Sequence, residues 1–289
     1  MKLLIQSLVL FWAFFPFSPS TRVTTDPGQI TVCHSIPASM ADFVSDPEFV
    51  KMHPKPVVMD FKGLGEEIRF DIPDGKQAGG YFIKAKKKSD KWLFVYQEWW
   101  GLNDHIRAEA DKFYNDLGES VNVLALDMYD GKVATEPSEA GKLMQGANQD
   151  RLASIIKGGY DFAGKKAQVA SVGWCFGGGL SLKSALAGGG QNIGSVMYYG
   201  MPVQDVEQLK TLNSDVLGLF ATEKWISKEV IEEFAANMKK ADKKLTYKIF
   251  PGVHGFANPS NPNYDAENTK IAYDMALGYL KDRFAGKKS

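Results

Sequence analysis

Residues 168–172 form a β-like run that leads directly into Gly173-Trp174-Cys175-Phe176-Gly177-Gly178, and a small-residue stretch predicting a helix begins near Gly179. Strand, tight glycine-flanked turn and helix together have the form of a nucleophile elbow, with cysteine in place of the usual serine. Such a turn carries its nucleophile at a sharp bend, and the flanking glycines are required because side chains there would meet the neighbouring strand and helix. Cys175 is therefore the candidate nucleophile.

The same alternation continues on both sides of the elbow. Strands are predicted over 68–72, 80–84, 92–97, 121–126, 195–199, 216–221 and 245–250, and helices over 104–117, 138–146, 149–163, 227–240 and 265–284. Gly188-Gly189-Gly190 stops the helix that follows the elbow. Strands separated by helix-length segments predict an α/β fold, a mostly parallel central sheet with helices on both faces. Lys84-Ala85-Lys86-Lys87-Lys88 reads as a solvated hairpin tip.

With 289 residues, 44% hydrophobic and 24% charged, the chain can bury a large core in one catalytic domain. Lys plus Arg equals Asp plus Glu at 34 each, which leaves no electrostatic footprint for nucleic acid or an anionic membrane. At the amino terminus Lys2 precedes an apolar stretch over 3–17, broken by Gln6 and Ser7 and ended by Pro16. It is shorter than the roughly 20 residues of a stable membrane span and reads as a secretory signal peptide over 1–20, so the mature protein is expected to be exported without a membrane span. The alternative is an uncleaved amino-terminal helix. Residues 21–62, with Pro27, Pro37, Pro47, Pro54 and Pro56, form an extension with one short helical candidate near 38–52, and 63–289 is the domain proper. Cys33 and Cys175 are both expected to be free thiols, because a disulfide would consume the elbow's nucleophile.

A thiol nucleophile needs a base, and the four histidines differ in position. His34 and His53 lie in the extension, and His105 falls in the first turn of a predicted helix, a surface or capping place. His254, in Phe250-Pro251-Gly252-Val253-His254-Gly255-Phe256, follows the last strand, where a loop can carry imidazole over the carboxyl edge of a parallel sheet. In chain order the acid belongs between nucleophile and histidine, after the preceding strand. Glu223, in Thr222-Glu223-Lys224-Trp225, is the carboxylate there; it is either the imidazole's partner or a surface residue opening the next helix. Glu98 stands between an apolar strand and two tryptophans, as a partly buried functional acid or a rim residue.

The elbow, the Pro251–Phe256 loop and Gln97-Glu98-Trp99-Trp100-Gly101-Leu102-Asn103 together resemble the dienelactone hydrolases, cysteine enzymes of the α/β hydrolase fold. The resemblance covers roughly residues 82–284, and Asp127-Met128-Tyr129 also looks like the family's stretch after the fourth strand. It implies hydrolysis of a small-molecule ester or lactone through an acyl-Cys175 intermediate, with His254 and Glu223 completing the triad and Glu98 beside the nucleophile as acceptor of the thiol proton. It also implies an oxyanion hole from the backbone N–H groups of Phe176 and Trp99. Two departures bear on the substrate. The family's usual acid is aspartate, and the arginine that binds the dienelactone carboxylate has no clear counterpart: Arg107 and Arg151 are the only arginines from Asn103 to Cys175, with Lys132 a poor geometric substitute. A general carboxylesterase, or a hydrolase-fold binding protein with weakened turnover, therefore stands as the alternative. No cofactor is expected: the histidines and cysteines lack zinc spacing, and the glycines after Cys175 lack the lysine of a phosphate loop.

Overall fold

The computed structural model describes residues 39–287, which lie within the larger of two compact units of the chain, 36–289. The signal-like stretch, Cys33 and His34 fall outside the described residues. Eight strands form one sheet: β1 (Glu66–Asp71), β2 (Gln77–Ile83), β3 (Lys91–Tyr96), β4 (Asn122–Leu126), β5 (Gln168–Trp174), β6 (Asn192–Tyr198), β7 (Val216–Ala221) and β8 (Leu245–Phe250). Their order is β1-β2-β4-β3-β5-β6-β7-β8. β1 pairs antiparallel with β2, and β2 with β4; every pairing from β4 to β8 is parallel. Every residue of β4 and β7 is buried, as expected for strands covered on both faces. This is the α/β hydrolase architecture.

The longer helices are α2 (Asp104–Asp116), α3 (Pro137–Gln145), α4 (Gln149–Ala163), α5 (Phe176–Gly188), α7 (Lys228–Lys240) and α8 (Ala266–Phe284), with the single-turn α6 (Val206–Lys210) between β6 and β7. Among the described residues no helix is long and apolar enough to cross a membrane. The lysine cluster departs from its expected place. β4 lies between β2 and β3, so the Lys-rich segment is a crossover past β4 and not a hairpin tip. It is tied there by the backbone N–H of Lys86 donating to the Glu119 carbonyl at 3.0 Å and by the Lys86–Glu119 ion pair.

In the extension, the single helix expected near 38–52 is two short pieces, a 3₁₀ turn at Met40–Phe43 and α1 at Pro47–Lys51. Proline explains the break. Asp46, the residue before Pro47, is extended at φ −79° and ψ 115°, because the proline ring disfavours a helical conformation in its predecessor. Asp46 then caps α1, accepting from the Glu48 N–H at 2.9 Å. Met40 and Phe49 from these pieces are buried and belong to the same apolar core as the sheet.

Candidate active site

At the carboxyl end of β5 the backbone turns so sharply that Cys175 adopts φ 55° and ψ −120°. That left-handed conformation costs a non-glycine residue about 1–3 kcal/mol and is tolerated where the surroundings enforce it. They do so through close backbone approaches. A Cβ on Gly177 would lie 2.4 Å from the carbonyl oxygens of Tyr96 and Gln97, and one on Gly178 would lie 2.6 Å from that of Tyr198. The glycines thus seat the start of α5 directly against the ends of β3 and β6. The helix begins at Phe176, earlier than the expected Gly179, because the Gly178 and Gly179 N–H groups already donate to the Cys175 carbonyl at 2.9 and 3.4 Å.

The loop after β8 brings His254 to the same edge, where it is fully buried. It is anchored to the neighbouring loop by the Thr222 N–H donating to the Gly252 carbonyl at 2.9 Å. Glu223, at the end of β7, faces the imidazole: its two carboxylate oxygens lie 2.9 and 3.0 Å from His254 Nδ1, and its side chain is only 2% exposed. A carboxylate can only accept here, so Nδ1 carries the hydrogen and Nε2 is left to act. Burial works against a charged imidazole, but Glu223 and the Cys175 sulfur outweigh it and hold the His254 pKa well above the ordinary value.

Glu98 is buried in the loop after β3. Burial raises its carboxyl from 4.5 to about 7, with His254 and Asn258 acting in the opposite sense. Asn258 Nδ2 donates to its Oε2. The loop that holds it is fastened to the stretch after β4, where the Met128 N–H donates to Gln97 Oε1 at 3.2 Å and the Tyr129 ring stacks on Phe176 at 5.6 Å. Trp99 is fully buried in the same loop.

Two histidines face the sulfur: His254, whose charge and hydrogen bonding favour the thiolate, and one that sequence reasoning set aside. His53, in the extension, places Nε2 3.5 Å from Cys175 Sγ, while its Nδ1 lies 2.7 Å from the Phe49 carbonyl oxygen. Its ring packs 4.7 Å from that of His254 and 4.5 Å from Trp99. Phe49 enters the same cluster, edge-on to Trp99 at 5.9 Å and to Trp225 at 5.3 Å. The arm is held from outside by Trp225 Nε1 donating to Asp46 at 2.9 Å and by Lys224 paired with Asp46 at 3.1 Å and Glu48 at 2.7 Å. Beneath it Cys175 is 1% exposed. The only hint in sequence was the helical spacing of Phe49 and His53, one turn apart.

The remaining basic and histidine candidates lie elsewhere. Arg107 is committed to Glu67, Asp104 and the Leu102 carbonyl, and Arg151 to Asp74, Asp130 and the Gln77 carbonyl. Lys132 borders a surface hollow with Leu143 and Arg151, and His105 Nε2 bonds the Val57 carbonyl at 2.7 Å. His53, Cys175 and His254 bring one donor atom each within 4.8 Å of one another, a grouping that their separation in the chain conceals.

The dienelactone hydrolase family profile matches residues 79–284. Among curated relatives, protein usf of Aquifex pyrophilus is 26% identical, over 76% of this chain and 99% of its own. Carboxymethylenebutenolidase 1 of Cupriavidus pinatubonensis is 22% identical, over 75% and 97%. A dienelactone hydrolase-like promiscuous phosphotriesterase from metagenomic libraries superposes with a TM-score of 0.64 at 20% identity, covering 76% of this chain and 99% of its own, a likeness of fold. With an elbow, a buried histidine–glutamate pair and the Gln97–Asn103 loop converging on one sheet edge, the chain belongs to the dienelactone hydrolase family, hydrolases of carboxylic ester and lactone bonds on the α/β hydrolase fold.

Proposed function

We propose that the protein is an exported hydrolase that cleaves uncharged esters or lactones through an acyl-Cys175 intermediate. The observation that carries this reading is the Glu223–His254 pair, 2.9 Å across, standing beside a cysteine on a strained elbow. In the first half-reaction His254 Nε2 takes the thiol proton, and the sulfur attacks the carbonyl carbon. The resulting oxyanion faces the backbone N–H groups of Phe176 and Trp99, where fixed donors are worth most. Collapse expels the alcohol, which takes a proton from His254 Nε2. In the second half-reaction His254 takes a proton from water, the hydroxyl adds to the thioester, and the acid leaves as the C–S bond breaks and His254 returns its proton to the sulfur.

The arginine partners support the substrate class. Arg107 and Arg151 are each saturated by carboxylates and carbonyls away from the elbow, so a substrate carboxylate gains no planar bidentate grip from either. The aromatic surround of Phe49, Trp99 and Trp225 favours an apolar acyl group. Export rests on the apolar stretch over 3–17, and amino-terminal sequencing of protein recovered outside the cytoplasm checks it. The central experiment is hydrolysis of p-nitrophenyl acetate and a simple lactone by the wild type, Cys175→Ala and His254→Ala. Each substitution is expected to lower the rate at least about a hundredfold, and stoichiometric labelling of Cys175 by iodoacetamide is expected to abolish turnover. Unchanged rates in either variant defeat the mechanism.

A further inference from the structure

Three side chains far apart in sequence meet at the sulfur with their donor atoms gathered together. His53, Cys175 and His254 bring one nitrogen or sulfur each within 4.8 Å of the others, and His53 Nε2 lies 3.5 Å from Cys175 Sγ. Ligands held about 2.0–2.3 Å from one zinc ion stand roughly 3.3–3.9 Å apart. The His53–Cys175 pair already has that spacing, and the other pairs need to close by at most about 1.5 Å. All three side chains are buried.

Each imidazole also has the outer partner that a metal-bound histidine needs. Carbonyl and carboxylate oxygens can only accept, so the 2.7 Å contact of His53 Nδ1 with the Phe49 carbonyl and the 2.9 Å contact of His254 Nδ1 with Glu223 put a hydrogen on both Nδ1 atoms. Both Nε2 atoms are thereby left for ligation. An oxygen acceptor behind a ligating imidazole fixes its tautomer and raises its basicity. One thiolate with two imidazoles is a donor set for zinc, whereas calcium and magnesium need oxygen ligands. Phe49 and Trp99, packed on the His53 ring at 4.4 and 4.5 Å, give the cluster an apolar wall.

We propose that His53, Cys175 and His254 form a zinc site that, when filled, masks the nucleophile and clamps the amino-terminal arm to the elbow. This goes beyond the hydrolytic reading, because the ion is a reversible inhibitor and takes no part in turnover. Charge and protons balance. Zinc displaces two protons, that of the thiol and the one that Glu223, against burial, holds on His254. The two positive charges of the ion are then met by the Cys175 thiolate and the Glu223 carboxylate, so the buried cluster stays neutral overall. His53 gives up no proton, since burial holds its pKa well below the ordinary imidazole range and its ring is already neutral. The fourth tetrahedral position is left to water. Zinc enters while residues 39–53 are open, and the ligand set is complete only when they are seated, so binding holds the arm down.

The test titrates zinc chloride into full-length wild type, His53→Ala and Cys175→Ala, each reduced and stripped of metal. The wild type is expected to carry about one ion per chain through gel filtration. His53→Ala is expected to bind at least about a hundredfold more weakly, since loss of an outer partner alone costs about 10–100-fold. Cobalt in place of zinc should give the near-ultraviolet charge-transfer band of a metal thiolate in the wild type and not in Cys175→Ala. Filling the site should slow iodoacetamide labelling of Cys175 and tryptic cleavage after Lys51 together, and EDTA should restore both. His105→Ala, whose ring in the wild type bonds the Val57 carbonyl, should match the wild type. Circular dichroism confirms folding, and His53→Gln, held to the same limits, replaces a variant that misfolds. Equal zinc affinity in wild type and His53→Ala overturns the proposal, as does a cobalt spectrum without the thiolate band or an equal loss of uptake in His105→Ala. Binding is read without turnover, so if Cys175→Ala loses zinc but keeps full hydrolysis, the acyl-cysteine reading fails and the zinc site stands.

Discussion

Glu223 grips His254 through both carboxylate oxygens, at 2.9 and 3.0 Å from the one nitrogen Nδ1, and both side chains are sealed from solvent. The contact fixes ring orientation and tautomer together and sustains the charge on the imidazole. The glutamate side chain reaches the imidazole from the end of β7. Glu223→Gln leaves the volume almost unchanged but removes the charge and can turn the amide N–H toward Nδ1. It is expected to lower kcat/KM for p-nitrophenyl acetate about a thousandfold at neutral pH, measured against a wild type of equal Tm.

Glu98 links the site to stability through pH. Its carboxyl rises from 4.5 to about 7 on burial, so the folded protein holds this proton more tightly than the unfolded chain. Below about 4.5 the group is neutral in both states and costs nothing. As pH rises through 4.5 to 7 the unfolded chain ionises first, and stability falls by up to about 3 kcal/mol. Glu98→Gln removes the ionisation. Urea unfolding should show the variant close to wild type at pH 4.5 and more stable at pH 8; an equal difference at both values refutes the assignment.

How much of this was legible in sequence follows from the range of each interaction. The eight strands were all anticipated, since local alternation and apolar runs reflect burial on the sheet. The elbow, His254 and Glu223 were legible because the fold's chain order restricts where each can stand. His53 was not. It reaches Cys175 across 122 positions of sequence, from just beyond a single-turn helix whose placement depends on Trp225, Lys224 and Asp46 and on no periodicity of its own. The position of the Lys84–Lys88 segment was hidden for a related reason: strand spacing does not reveal that β4 inserts between β2 and β3.

The glycines of the elbow are a steric requirement that can be measured directly. A methyl group on Gly177 meets two backbone carbonyl oxygens at 2.4 Å, those of Tyr96 and Gln97, and neither can rotate away as a side chain would. Gly177→Ala is expected to destabilise the fold by at least about 2 kcal/mol in chemical denaturation. Gly75→Ala is the control for simple loss of glycine: its φ of 80° carries backbone strain, but a Cβ there meets nothing within 4 Å. A smaller loss at Gly177 than at Gly75 contradicts the close-approach account.

The arm that brings His53 to the sulfur is fastened largely through one carboxylate. Asp46 caps α1 through the Glu48 N–H, accepts from Trp225 Nε1 at 2.9 Å and pairs with Lys224 at 3.1 Å. The Trp225 bond, with the Glu48 N–H, lowers its pKa to about 2, so the fastening persists throughout the neutral range. Asp46→Ala removes all three contacts while leaving Phe49 and His53 intact. The arm should then open more often, and iodoacetamide, which needs only access to Cys175, should label it roughly tenfold faster. Acylation by p-nitrophenyl acetate should accelerate as well, because the seated arm leaves Cys175 only 1% exposed. Labelling and acylation both at the wild-type rate in Asp46→Ala would refute the fastening through Asp46 as what keeps the sulfur covered.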